Sequence, residues 1–168
     1  MEASHGQSGA LSKAHVITVS DGVFHGHRED KSGPGLIRLL KAGGFDTGDP
    51  EVVPDEMERI AEAIEKAITL GADVVVTTGG TGLGPRDVTP QATASLIEYE
   101  VPGIAEEMRR VGLVSTPMAA LSRALAGVRG QVLIINMPGS FKGATESLEA
   151  VMPMLDHAVK LLHGDTAH

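Results

Sequence analysis

The chain has 168 residues, 42% of them apolar, enough for one domain with a full hydrophobic core and too few to expect two. Aromatic residues make up only 2%, and the formal net charge is −8, from 22 acidic and 14 basic residues with no basic run, so nucleic-acid binding by stacking or by phosphate neutralisation is disfavoured. The absence of cysteine excludes disulfides and thiolate metal sites and fits a cytoplasmic location.

The N-terminal stretch MEASHGQSGALSK lacks the apolar core of a signal peptide, and no apolar run approaches a membrane span. Residues 1–12 are polar and glycine-rich and read as a disordered tail ahead of one domain over residues 13–164. His15 to Ser20, HVITVS, is a β-branched run and predicts a first strand that exits through Ser20, Asp21 and Gly22. The long polar loop VFHGHREDKSGPG follows. Its His25 and His27 admit a metal reading, though two histidines flanking a glycine in a loop are more often solvated. In LIRLLKAGG, Leu36, Leu39 and Leu40 share a helical face, and Gly43 and Gly44 stop the helix.

A short strand is predicted at Glu51–Val53. Asp55 then opens a helix whose Met57, Ile60, Ala61, Ile64, Ala67 and Ile68 recur at three and four. Asp55 and Glu58 have the spacing of a capping box, so Asp55 has a structural explanation as well as a functional one. Ala72–Thr78 reads as the central strand, and it breaks into Gly79, Gly80, Gly82 and Gly84. Thr89 followed by Pro90 predicts a capped helix start, with the helix running to Ile97. Beyond the EYEVPG elbow come a helix through Ile104, Met108 and Val111, and another from Ser115 to about Leu125 that carries Ser122 and Arg123. QVLIIN is a fourth strand, ending at Met137, Pro138, Gly139 and Ser140. The last helix spans Gly143 to His163, where Pro153 should kink or reset it.

Strands alternating with helices predict an α/β fold, a three-layer sandwich around a mostly parallel sheet, with ligands at the strand ends bearing Ser20, Gly79 and Pro138. A glycine loop strung between a strand end and a helix start gathers backbone N–H groups that suit an anion such as phosphate. This loop is neither a Walker P-loop, because no GK[ST] follows, nor a GxGxxG turn. Arg86 is either a surface ion pair or an anion contact, and Asp87 a structural group beside a helix start or an acid of the site. Asp55 and Asp87, at two loop exits, could share one magnesium with substrate phosphates. The acidic balance makes such neutralisation necessary for an anionic ligand.

The series SDG, DKSGP, VPDE, TTGGTGLGPRDVTP, LSRALAGVRG and NMPGS, in this order from about His15 to His163, resembles the MogA/MoaB family of molybdenum cofactor biosynthesis. It is equally similar to the adenylyltransferase domains of gephyrin and its plant counterpart. The resemblance implies the molybdopterin-binding fold and a molybdopterin adenylyltransferase, with ATP as co-substrate and Mg2+ as cofactor. By motif position it implies Asp55 and Asp87 as the functional acids and magnesium ligands. It also implies substrate or nucleotide contacts at Ser20, Asp21, Thr78, Gly79, Gly80, Thr81, Gly82, Arg86, Ser122, Arg123, Pro138, Gly139 and Ser140. Without the resemblance, a mid-helix Ser122 would simply bond back to its helix or face water.

A homotrimer, and a molybdenum insertase as downstream partner, are further implications of the family. The resemblance leaves room for a MoaB-like carrier that binds molybdopterin without adenylylating it. A nucleotide-pyrophosphate hydrolase like the competence-damage-inducible proteins is a weaker alternative, since those usually carry a different glycine block. Two stretches depart from the pattern: VFHGHRED in the first loop, and Phe141 and Lys142 after NMPGS, where many relatives carry another proline.

Overall fold

The computed structural model describes residues 9–166, so most of the tail expected over residues 1–12 lies outside the described residues. Six strands form one sheet in the order β2-β1-β3-β6-β5-β4. These are β1 (Ala14–Val19), β2 (Glu51–Val53), β3 (Val74–Thr78), β4 (Tyr99–Glu100), β5 (Ala126–Arg129) and β6 (Val132–Met137). The first three and β6 run parallel, whereas β5 pairs antiparallel with both β6 and β4. This is the expected mostly parallel α/β sandwich.

The central strand VVVTT is buried at every position, as a parallel strand covered on both faces must be. Alternation sorts its side chains. Val74 and Val76 join the core under α2 (Ser32–Ala42), α5 (Pro102–Ser115) and α6 (Phe141–Leu162), while Val75 joins the core under α3 (Met57–Thr69) and α4 (Thr89–Ala94). Of the predicted stripe on α3, Ile60, Ile64 and Ala67 are buried and Ala61 and Ile68 partly so, whereas Met57, at the exposed start of the helix, is not, and Ala63 joins the buried face.

Several local expectations are corrected. The first loop contains a one-turn helix, α1 (Asp21–Phe24), and α2 begins earlier than expected, at Ser32. The helix expected from Ser115 to Leu125 is instead a 3-10 turn, Pro117–Leu121, capped by Thr116. Ser122 follows it in extended backbone, φ −67° and ψ 126°, so it is not a mid-helix serine. Pro153 does not reset the last helix, which is continuous from Phe141 to Leu162. Asp55 does not cap α3: the N-cap is Glu56, and no side chain bonds to that helix end. Thr89 lies inside α4 after an uncapped Val88, and its hydroxyl donates to the Gly79 carbonyl (2.8 Å).

Candidate functional site

Parallel pairing fixes where the site lies. Thr78 stands opposite Thr18 on one side and Met137 on the other, so the chain leaves β1, β3 and β6 at one level. The Gly79 amide donates to Met137 O (3.1 Å), and Thr78 Oγ1 donates to Pro138 O (2.7 Å), which ties the two central exits together. Gly79, at φ +105°, lies against the Val19 carbonyl, and a Cβ at Gly139 would stand 3.2 Å from Gly79 Cα. Three main chains therefore meet where only glycine leaves room.

On one flank of this junction, two aspartates brace each other through their backbones. The Asp21 amide donates to Asp55 Oδ2 (2.8 Å), and the Asp55 amide donates to Asp21 Oδ1 (3.0 Å). Arg86 closes on Asp21 with two bonds of 3.0 Å, from Nε to Oδ2 and from Nη2 to Oδ1. That guanidinium holds the Asp21 carboxyl below its ordinary range, aided by the Asp55 amide. Burial pushes the half-buried Asp55 up, and the charges of Asp21 and Asp87 add to the rise. Asp55 therefore gains a proton more readily than an ordinary aspartate, and Arg86 partly restrains this.

On the other flank, the Asp87 carboxylate turns back into its own loop. Its Oδ2 accepts from the Gly84 amide (2.9 Å) and would stand 3.0 Å and 2.9 Å from side chains placed at Gly82 and Gly84. Arg123 holds the loop from outside. Its amide donates to Thr81 O (2.9 Å), its Nε to Gly82 O (2.8 Å), its Nη2 to Asp87 O (2.7 Å) and its Nη1 to Gln91 Oε1 (3.2 Å).

Two cavities open at this strand edge, of about 580 Å3 and about 750 Å3. They share Gly80, Asp87, Gly139 and Ser140 as a common wall. The smaller is bordered by Thr81, Gly82, Ser122 and Pro138, with Met108, Met118 and Ala119 supplying apolar surface. The larger is bordered by Ser20, Asp55, Thr78 and Gly79. Asp55 and Asp87 thus border one space. Three of the expected contact residues do not line either cavity: Asp21, Arg86 and Arg123 are spent on bracing the site.

Residues not singled out from the sequence complete the walls. In the larger cavity these include Thr18, Arg28, Asp30, Lys31 and Ser32, where Asp30 accepts from Thr18 Oγ1 (2.8 Å) and from the Gly33 amide (3.0 Å). In the smaller one, Arg109 donates to the Ser122 and Ala124 carbonyls at 3.2 and 2.8 Å. The DKSGP motif contains Asp30, Lys31 and Ser32 but not Thr18 or Arg28, and nothing in the pattern of α5 marks Arg109.

The carboxylates of Asp55 and Asp87 offer hard oxygen donors suited to magnesium. Among the described residues no group of three or more His, Cys, Asp or Glu could hold a metal, so an ion here needs ligands from substrate phosphates and water. The metal reading of His25 and His27 has no such group behind it either; their rings lie 6.5 Å apart beside Phe24.

A parallel-sheet α/β domain whose strand exits open into a divided cleft is a ligand-binding domain, with its site at the carboxyl edge of the sheet. The family described as "Probable molybdopterin binding domain" matches residues 15–157. The chain belongs to this family, the MogA/MoaB family of molybdenum cofactor biosynthesis. It is 40% identical to gephyrin of Dictyostelium discoideum over 158 residues, 88% of this chain and 22% of that one. It is 39% identical to the molybdopterin adenylyltransferase of Helicobacter pylori 26695, over 89% of this chain and 87% of the relative. The crystal structure of the molybdopterin biosynthesis enzyme MoaB of Thermus thermophilus superposes with a TM-score of 0.86 at 51% identity, covering 92% of this chain and 98% of that one. The chain spans less than half the length of several curated relatives it matches, 22% of that gephyrin and 47% and 48% of two bifunctional molybdenum cofactor biosynthesis proteins.

Proposed function

We propose that this protein is a molybdopterin adenylyltransferase. The observation that carries the reading is the shared wall: two cavities of different character meet at Gly80, Asp87, Gly139 and Ser140, so two bound molecules would touch there. The smaller, with its methionines and alanine, suits the flat pterin. The larger, with Ser32 at the start of α2 and Ser140 capping α6, suits the phosphates of ATP, since two helix N-termini favour negative charge.

In the reaction, an oxygen of the molybdopterin phosphate attacks the α-phosphorus of ATP. A new P–O bond forms there, the bond from that phosphorus to the β-phosphate's bridging oxygen breaks, and pyrophosphate leaves. A phosphate monoester is already ionised near neutral pH, so no side chain has to remove a proton. The protein's task is to align two anions and relieve their repulsion. Asp55 and Asp87 would hold magnesium, which when bound supplies charge neutralisation to the phosphates. The glycine loop donates backbone N–H groups, and Ser122 contacts the pterin side.

Incubation with molybdopterin, ATP and magnesium, followed by mass spectrometry, should give adenylyl-molybdopterin and stoichiometric pyrophosphate. Bound molybdopterin with neither product would overturn the enzymatic reading and leave a carrier. The same reading makes the protein a cytoplasmic homotrimer that passes its product to a molybdenum insertase, and sedimentation at micromolar concentration tests the assembly.

A further inference from the structure

Arg123 lines neither cavity, yet its side chain bonds directly to the backbone of the glycine loop. Its guanidinium reaches the carbonyls of Gly82 and Asp87, the two ends of the turn inside which the Asp87 carboxylate is folded. The backbone adds a third tie, from the Arg123 amide to Thr81 O, and Gln91 on α4 takes the remaining nitrogen.

Besides Arg123, the turn is tied to the rest of the fold through Arg86, whose guanidinium reaches out to Asp21 and leaves the position of the Asp87 carboxylate unfixed. Residues 83–86 are exposed, and within the turn the Asp87 amide bonds only to Gly84 O (3.0 Å) and the Gly84 amide to the Asp87 carboxylate. Glycines at 79, 80, 82 and 84 leave the backbone free to adopt many shapes. A planar fork of donors fixed between two carbonyls restricts that freedom in a way a single ammonium cannot.

We propose that Arg123 is a positioning residue: it clamps the Gly82–Asp87 turn so that the Asp87 carboxylate is held at the wall between the two cavities. The clamp acts through Asp87 and touches no ligand. This rests on the reading that Asp87 serves adenylyl transfer, but the clamp itself is a property of the ligand-free chain.

The test uses Arg123→Ala and Arg123→Lys, the second keeping the charge without the fork, so that one variant serves if the other does not fold. Adenylate formation should fall about 100-fold in kcat, the scale set by a misplacement of about 1 Å. KM for ATP and for molybdopterin should stay within about threefold, because no bound group is lost. Added guanidinium ion should restore part of kcat in Arg123→Ala and none in Arg123→Lys, where the ammonium occupies its place. Unchanged kcat, or a rise in KM alone, would overturn the clamp.

A ligand-free measurement separates this from the functional reading. 15N relaxation should show the order parameters of residues 82–87, Pro85 excepted because it has no amide hydrogen, dropping from the rigid range, about 0.85, to below about 0.6 in Arg123→Ala. Unchanged order overturns the clamp whatever the wild type catalyses. A wild type that makes no adenylate, with order lost in the variant, upholds the clamp and refutes the function.

Discussion

Replacing Gly79 by alanine tests the claim that three main chains meet at the cleft. Gly79 sits at φ +105°, and a Cβ built there lands on the carbonyl oxygen of Val19, a backbone atom of β1. A positive φ costs an L-residue about 1–2 kcal/mol. Displacing a strand end to admit the methyl adds about 1–3 kcal/mol, the usual cost of overpacking. The sum, about 2–5 kcal/mol, is a large share of a typical domain stability of about 5–15 kcal/mol.

Gly44 supplies the control. It has φ +91° but nothing within 4 Å of its notional Cβ, so Gly44→Ala carries the backbone strain alone. Urea denaturation at equal m should then place Gly79→Ala below Gly44→Ala by about 1–3 kcal/mol. Equal midpoints for the two variants would mean that the close approach of β1 and β3 is not tight, and the geometry of the cleft would lose its basis.

Arg86→Gln removes the charge that lowers both aspartates. Asp55 should rise further, so the acid limb of the pH–activity profile moves to higher pH; an unmoved limb would dissociate Asp55 from catalysis. The stability consequence runs through Asp21, whose folded-state pKa is depressed. Its contribution is present above the unfolded-state value and is lost as pH falls through the folded-state one. Wild type and Arg86→Gln should therefore differ most near neutrality and converge in acid, as followed by thermal melts. Asp87→Asn keeps an oxygen for the Gly84 amide and should fold normally while losing at least about 100-fold in turnover, with full activity ruling out its role. Ser122→Ala loses only a long bond from the Ala124 amide (3.3 Å), so molybdopterin affinity should drop with the thermal midpoint nearly unchanged. Isothermal titration showing equal affinity would remove Ser122 from the site.

The sheet was legible because its central strands bury both faces: VVVTT and VLIINM are apolar or β-branched almost throughout, and little else fits them. The antiparallel edge was not legible. Tyr99–Glu100 is two exposed residues, and AGVR carries a glycine and an arginine, so neither has alternation or length to signal a strand. Gly127 has a tertiary reason, since a Cβ there would press on the Ile97 side chain and the Tyr99 carbonyl, the strand beside it. That most of the candidate residues gather at one strand edge was legible, but which of them line a cavity and which brace it was not. Whether Arg86 and Arg123 face a ligand or a loop depends on contacts to residues 65 and 41 positions away, which local pattern does not carry.

The misread caps point to the site more directly than the glycines do. Asp55 and Thr89 each stand where a helix start favours a capping side chain, and each helix is left without one. An absent cap costs about 1 kcal/mol. Both side chains are instead turned toward the same strand exits: Asp55 accepts the Asp21 amide after β1, and Thr89 donates to the Gly79 carbonyl after β3. Two independent helices giving up the same local stabilisation toward one junction is not what packing alone would select, since neither bond buries apolar surface. Departures from local consistency concentrate where a structure serves a ligand. By that argument the junction of β1 and β3 is where selection has acted on geometry more than on stability, and the cavity that Asp55 borders lies there.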